Sequence, residues 1–169
     1  MNDSSIFEQS RLKIEHQSNP LFKSNCRIIN GVEVPVLLIG DSAFRISDIL
    51  LKPYPYKADQ PNQERVFNYH LSKCKRVVEN AFGQLKARFR RIGRGLEVNI
   101  DNATPIIQTC CILHNICNNQ NDHFKNAWLK EFKKNATRIQ PQTRTTIDER
   151  NESNNGNIIR KAIANFLGN

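Results

Sequence analysis

A chain of 169 residues, 38% hydrophobic and 24% charged, has the length of one ordinary domain and the composition of a soluble one. Its net charge of +9 is concentrated: between Glu64 and Glu97, nine Lys or Arg stand against three Glu, which favours an acidic polymer as partner, nucleic acid before a membrane surface. The longest apolar run, Val34 to Ile39, contains Pro35 and is far too short to cross a bilayer. The polar start from Met1 to Gln9 lacks the apolar core of a secretion signal, so an intracellular chain with no membrane partner is expected.

From Met1 to Lys23 the chain is polar with scattered apolar residues, a short helix and loop. Gly31 to Gly40 reads as a turn followed by one buried strand, Val34 to Ile39, which stops at Gly40-Asp41-Ser42 and so sets Asp41 at its C-terminal edge. Ile46 to Leu51 is expected to carry one or two helical turns. Lys52-Pro53-Tyr54-Pro55-Tyr56 must be extended, because each proline disfavours helix in the residue before it.

Phe67, Leu71, Cys74, Val78, Ala81, Phe82, Leu85, Phe89 and Ile92 recur at gaps of three and four, one face of a helix from Val66 to Ile92 that Gly93 and Gly95 end. A second helix is expected from Asn102 to Asn118, capped by Asp101 or Asn102, with Pro105 in its first turn. Asn121 to Asn135 reads as a weaker helix around Phe124, Trp128, Leu129 and Phe132. Thr137 to Asn157, rich in Asn, Thr, Gln and Arg, reads as a disordered linker, and Asn157 to Leu167 as a short terminal amphipathic helix.

Two carboxylates stand out. Glu79 lies beside the apolar stripe of the long helix, with Lys75, Arg76, Gly83 and Lys86 as helical neighbours, so an acidic group sits in a basic patch and Gly83 leaves room for a close approach. With Asp41 at a strand end, this is the arrangement by which a metal-dependent nuclease holds Mg²⁺ against a phosphate. Each residue also has a plainer reading: Asp41 as a turn or cap residue, Glu79 as an ion-pair partner of Lys75, Arg76 or Lys86, the charge pattern as a solvated helix face. Cys26, Cys74, Cys110, Cys111 and Cys117 lack a disulfide framework and are expected reduced. Cys110, His114 and Cys117 share a helix face, where small buried side chains are a better reading than a metal site. His114 is expected to pack or hydrogen-bond rather than catalyse. Arg88, Arg90, Arg91 and Arg94 suit phosphate contacts and a nuclear-import patch equally.

The order Gly40-Asp41-Ser42-Ala43-Phe44, Leu51-Lys52-Pro53-Tyr54, Phe67-Asn68, then Arg76 through Phe89 and Leu113-His114-Asn115-Ile116, resembles the DDE transposases of the PIF/Harbinger group and their domesticated nuclease relatives. Asp3-Ser4-Ser5-Ile6-Phe7 with Ser10 is similar to an earlier His-Asp-Ser segment of that family, with Asn2 where His is usual, and the helix around Ile159-Arg160 is similar to its end.

The resemblance implies a ribonuclease H-like fold and a site of two Asp and one Glu, with Asp41 matching the second Asp and Glu79 the Glu. These carboxylates would hold two Mg²⁺ (or Mn²⁺) ions about 3.5–4 Å apart for in-line phosphodiester hydrolysis. By their positions alone, and not by the resemblance, Lys75, Arg76, Lys86 and Arg90 would hold the DNA backbone. The first Asp belongs to an upstream strand that this chain, beginning at Met1, does not include, and neither does it include the family's DNA-recognition region, which leaves room for a separate DNA-binding partner protein. The expected chain is therefore an α/β, mostly helical, incomplete ribonuclease H-like fold, retaining one core strand and the C-terminal helices. Residues 1–119 would be the C-terminal part of an endonuclease domain, 120–156 weak helix and linker, and 157–169 a terminal helix, in a nuclear protein. The expected function is a DNA endonuclease or transposase domain, active when complete. The alternatives are a catalytically inactive remnant that binds DNA or a protein partner through its basic helix, and an unrelated basic helical module.

Overall fold

Capping side chains divide the first residues of the chain into three short helices. A computed structural model describes residues 3–122, 127–128, 130 and 152–169, and in it α1 spans Asp3–Glu8, α2 Arg11–Ser18 and α3 Pro20–Ser24. Ser10 Oγ accepts the Lys13 N–H (3.3 Å) at the start of α2, and Asn19 Oδ1 accepts the Leu21 N–H (3.0 Å) at the start of α3, with Pro20 in its first turn.

The apolar run around Val34 does not form one strand. A hairpin pairs β1, Arg27–Ile29, with β2, Val32–Val34, through Asn30-Gly31, whose φ of 49° and 77° are the two positive values of a type I′ turn. Pro35, which fixes φ and offers no N–H, follows β2 directly. The remainder of the run forms β3, Leu38–Ile39, which pairs in parallel with β4, Leu50–Leu51, in a second two-stranded sheet. The expected single buried strand is thus two short strands in two sheets, with Val36 and Ile39 exposed. The helical turns expected over Ile46 to Leu51 are also absent. Ser47 Oγ takes the N–H groups of Ile49 and Leu50 (3.4 and 3.1 Å), a side-chain turn that competes with helix and delivers Leu50 into β4.

The chain divides into two units, Met1–Lys75 with Arg144–Asn169, and Arg76–Thr143. The core of the first gathers Val34, Ile46, Leu51, Phe67, Leu71, Ile159 and Ala164, with Tyr54, Ile163 and Leu167 packed against it. Phe67 and Leu71 come from α4, Asn62–Arg88, which begins four residues before its apolar stripe predicts. Ile159 and Ala164 come from α7, Asn154–Gly168, which starts inside the stretch read as linker because Ser153 caps it, its Oγ accepting the Gly156 N–H (3.1 Å). A Cβ at Gly156 would lie 2.6 Å from the Ser47 carbonyl oxygen, so glycine is what lets α7 lie this close to that backbone. The helix expected over Asn121 to Asn135 and the linker up to residue 151 lie largely outside the described residues.

In the second unit α4 stops at Arg88, Phe89 breaks the helix, and α5, Arg90–Arg94, ends at Gly95 with φ of 97°. The single helix expected to Ile92 is therefore two. Helix α6, Ile100–Asn119, starts earlier than expected, so Asp101 is a first-turn acid rather than the cap, and Pro105 falls inside the helix. It ends in a Schellman-type turn: Asn121 takes φ of 54° and the Asp122 N–H returns to the Cys117 carbonyl (2.9 Å). That turn presents Asp122 to Arg88, which donates from Nη1 to the carboxylate and from Nη2 to the Asp122 carbonyl, both at 3.0 Å. No helix among the described residues is long and apolar enough to cross a membrane.

Candidate functional site

Asp41 follows β3 by one residue. The Gly40 N–H still donates to the Leu51 carbonyl (2.8 Å), so the parallel pairing runs up to the residue before the carboxylate. Gly40 is buried, and a Cβ there would stand 2.9 Å from the Phe44 ring. The chain then turns: Asp41 Oδ1 accepts the Ala43 N–H (2.9 Å) and its carbonyl accepts the Phe44 N–H (3.3 Å), an Asx-type turn. The Phe44 ring meets the Phe7 ring edge-on at 6.0 Å, which ties this turn to α1. The Asp41 side chain is thus exposed, with one oxygen held by its own turn.

Glu79 occupies the exposed middle of α4. Arg76, Glu79, Gly83 and Lys86 follow one another at helical spacings of three and four and share a face, with Arg76, Glu79 and Lys86 exposed and Gly83 half-buried. Despite the cations around it, Glu79 makes no ion pair among the described residues. Lys75 is half-buried at the end of the first unit, the unit that holds Asp41. Arg76, Glu79 and Lys86 belong to the second, as does Arg90, exposed on α5.

The cysteines are free thiols: Cys26 and Cys74 are exposed, and Cys110, Cys111 and Cys117 half-buried. A hydrogen bond to Glu33 pushes the Cys26 thiol above its ordinary value, which suppresses the thiolate and makes it a poor nucleophile. His114 is buried in α6 with no hydrogen-bond partner on Nδ1; burial, and then the nearby Arg88 cation, pushes its pKa below the ordinary imidazole value. Cys110, His114 and Cys117 do not form a ligand cluster, and no group of three or more His, Cys, Asp or Glu among the described residues is placed to hold a metal ion.

Two arrangements escaped the sequence reading. Asn68 acts as a side-chain strand for Tyr54, with Oδ1 accepting the Tyr54 N–H (2.8 Å) and Nδ2 donating to its carbonyl (3.0 Å). The Arg160 guanidinium lies 4.1 Å from the centre of the Tyr54 ring and donates to Asn157 Oδ1 (2.7 Å) and the Pro53 carbonyl (3.4 Å), clamping α7 onto the Leu51-Lys52-Pro53-Tyr54 motif. The motif residues were visible in the sequence, but their pairing needs contacts 14 and 107 positions apart.

Comparison with known proteins gives these motifs a family. A family model described as DDE superfamily endonuclease matches residues 1–115, a span that holds Asp41, Glu79, Lys75, Arg76, Lys86, Arg90 and His114. "Protein ALP1-like" of Arabidopsis thaliana is 30% identical over 118 residues, 69% of this chain and 29% of that protein. "Putative nuclease HARBI1" of Homo sapiens is 28% identical over 119 residues, 69% of this chain and 30% of that protein. The chain therefore spans less than a third of the length of either relative. No solved structure matches it. With the family model covering well over half of the chain, in the motif order set out above, the chain belongs to the DDE superfamily endonucleases, of the Harbinger type.

Proposed function

We propose that the chain contributes two carboxylates, Asp41 and Glu79, and a basic helix surface to a metal-dependent DNA endonuclease of ribonuclease H-like fold that hydrolyses phosphodiester bonds. The observation that carries this reading is that the family model spans both carboxylates, and that both are exposed with neither neutralised by an ion pair among the described residues. Exposed carboxylate oxygens are the donors that Mg²⁺ or Mn²⁺ prefers. A bound divalent ion would supply an activated water and stabilise charge on the phosphate oxygens. The turn at Asp41 fixes the carboxylate through one oxygen and leaves the other for a ligand. Arg76 and Lys86, on the helix face of Glu79, and Lys75 and Arg90 nearby in sequence, would hold a DNA backbone by charge.

A second reading keeps DNA binding and omits cleavage. It is favoured by the same Asx turn, which gives the Asp41 carboxylate a structural task without any metal. Titration with Mg²⁺ or Mn²⁺ separates the two. If both carboxylates bind metal, the ion should raise the melting temperature of the wild type, and Asp41→Ala and Glu79→Ala should each reduce that rise. Metal-linked melting that persists undiminished in both variants would sink the metal site and leave salt-sensitive DNA binding as the function.

A further inference from the structure

Three arginines of the second unit line one surface recess to which neither Asp41 nor Glu79 contributes. The recess, about 400 Å³ in volume, is bounded by Arg90, Arg91, Arg94, Gly95 and Glu97. It forms where α4 breaks at Phe89, α5 makes little more than one turn, and Gly95 ends that turn with a positive φ. A Cβ at Gly95 would meet nothing within 4 Å, so the glycine is there for its backbone conformation rather than for room. Arg91 and Arg94 are exposed and make no ion pair among the described residues. With Glu97 the lining has three positive charges against one negative.

We propose that this recess is a phosphate-binding cradle that seats a backbone phosphate of DNA. The proposal rests on the DNA-binding reading above and adds a specific place for one phosphate. The charge excess identifies the ligand as an anion. Both lining cations that make no ion pair among the described residues, Arg91 and Arg94, are arginine and not lysine, which favours planar, two-pronged donation to phosphate oxygens over diffuse attraction. A recess of about 400 Å³ has room for a phosphate group with part of its sugar neighbours, and the exposed Arg76 and Lys86 upstream on α4 suit a polyanion that continues beyond one site. Glu97 opposes the bound charge and thereby weakens the site.

The test uses the full chain and a fluorescent duplex without divalent metal, so that cleavage plays no part. Arg91→Ala with Arg94→Ala should weaken binding roughly tenfold or more near physiological salt and make the slope of log K against log salt shallower by about two. Arg91→Lys with Arg94→Lys keeps the charge but loses the forks, and should also weaken binding, whereas Glu97→Gln should tighten it. Inorganic phosphate and a poly-glutamate peptide serve as competitors: the cradle predicts that phosphate displaces DNA more effectively per charge than the peptide. A lysine variant equal to the wild type, or a peptide that competes better than phosphate, overturns the cradle in favour of a diffuse basic patch or an acidic protein partner. A wild type that fails to bind DNA at all would instead overturn the DNA reading, so the two failures are distinct.

Discussion

The two units use apolar residues in opposite ways. In the first, residues far apart in sequence close on one core: Ile46 from a loop, Phe67 and Leu71 from α4, Ile159 and Ala164 from α7. In the second, the only buried apolar residues among those described are Leu85 and Ala87 on α4, while Val77, Val78 and Phe82 on the same helix, and Ile107, Ile112, Leu113 and Ile116 on α6, are exposed. The same helix therefore carries one apolar stripe with two fates. Periodicity identifies a face, but only a partner element makes that face a core. For the first unit the partner is α7, arriving from the far end of the chain. Among the described residues of the second unit no counterpart covers the exposed stretch.

Substituting one residue type at two places on α4 would break this contrast most directly. Phe67 is 3% exposed and Phe82 is 56% exposed. Phe67→Ala should cost about 3–5 kcal/mol in denaturant unfolding, the usual loss for a buried phenylalanine. Phe82→Ala should stay within about 0.5 kcal/mol of the wild type. Comparable losses would mean that Phe82 is covered in solution, and the distinction between the units would fail.

A smaller effect is expected where α7 meets the motif segment. Lys52 and Glu152 form an ion pair in which the Lys52 side chain is buried and that of Glu152 largely so. Glu152→Ala leaves the lysine buried without its partner and should destabilise the first unit by about 3 kcal/mol, whereas Lys52→Met combined with Glu152→Leu should recover most of the loss. If the double variant is no better than the single one, the pair positions α7 by its geometry and not merely by neutralising charge.

How far the sequence shows this division can be judged from particular residues. The long helix was legible from its gaps of three and four, and so was the place of Asp41 beyond a strand end. The break at Phe89 was not legible, because the periodic apolar residues continue through it to Ile92. Strand β1 was missed, because the turn was read from Gly31 onward and not as an Asn30-Gly31 hairpin with a strand on either side, and the parallel pairing of β3 with β4 depends on residues twelve positions apart and on the Ser47 turn. Ile46 to Leu51 is a short apolar run of the kind periodicity cannot assign to helix or strand. At the site, charge spacing placed Glu79 in its basic surroundings. The arginine recess needed the positive φ of Gly95, which composition alone does not reveal.

The smallest expected effect lies in the second unit and is a pH dependence. His114 is buried, and burial together with the Arg88 cation lowers its pKa below the ordinary value of 6.5. In the unfolded chain the imidazole regains that ordinary value, so as pH falls the unfolded state takes up the proton first. The stabilising difference is therefore fully present above about pH 6.5 and is lost as pH falls from there through the lower folded-state pKa. Hydrogen exchange along α6 between pH 8 and pH 5, corrected for intrinsic exchange rates, should show weakening protection in the wild type. His114→Gln should flatten this dependence even if it lowers protection at every pH, because a neutral amide has no proton to bind. A variant as pH-sensitive as the wild type would assign the effect to another group. The core around Phe67 and Leu71 is built from apolar side chains, so the exchange of their amides should change less over the same range.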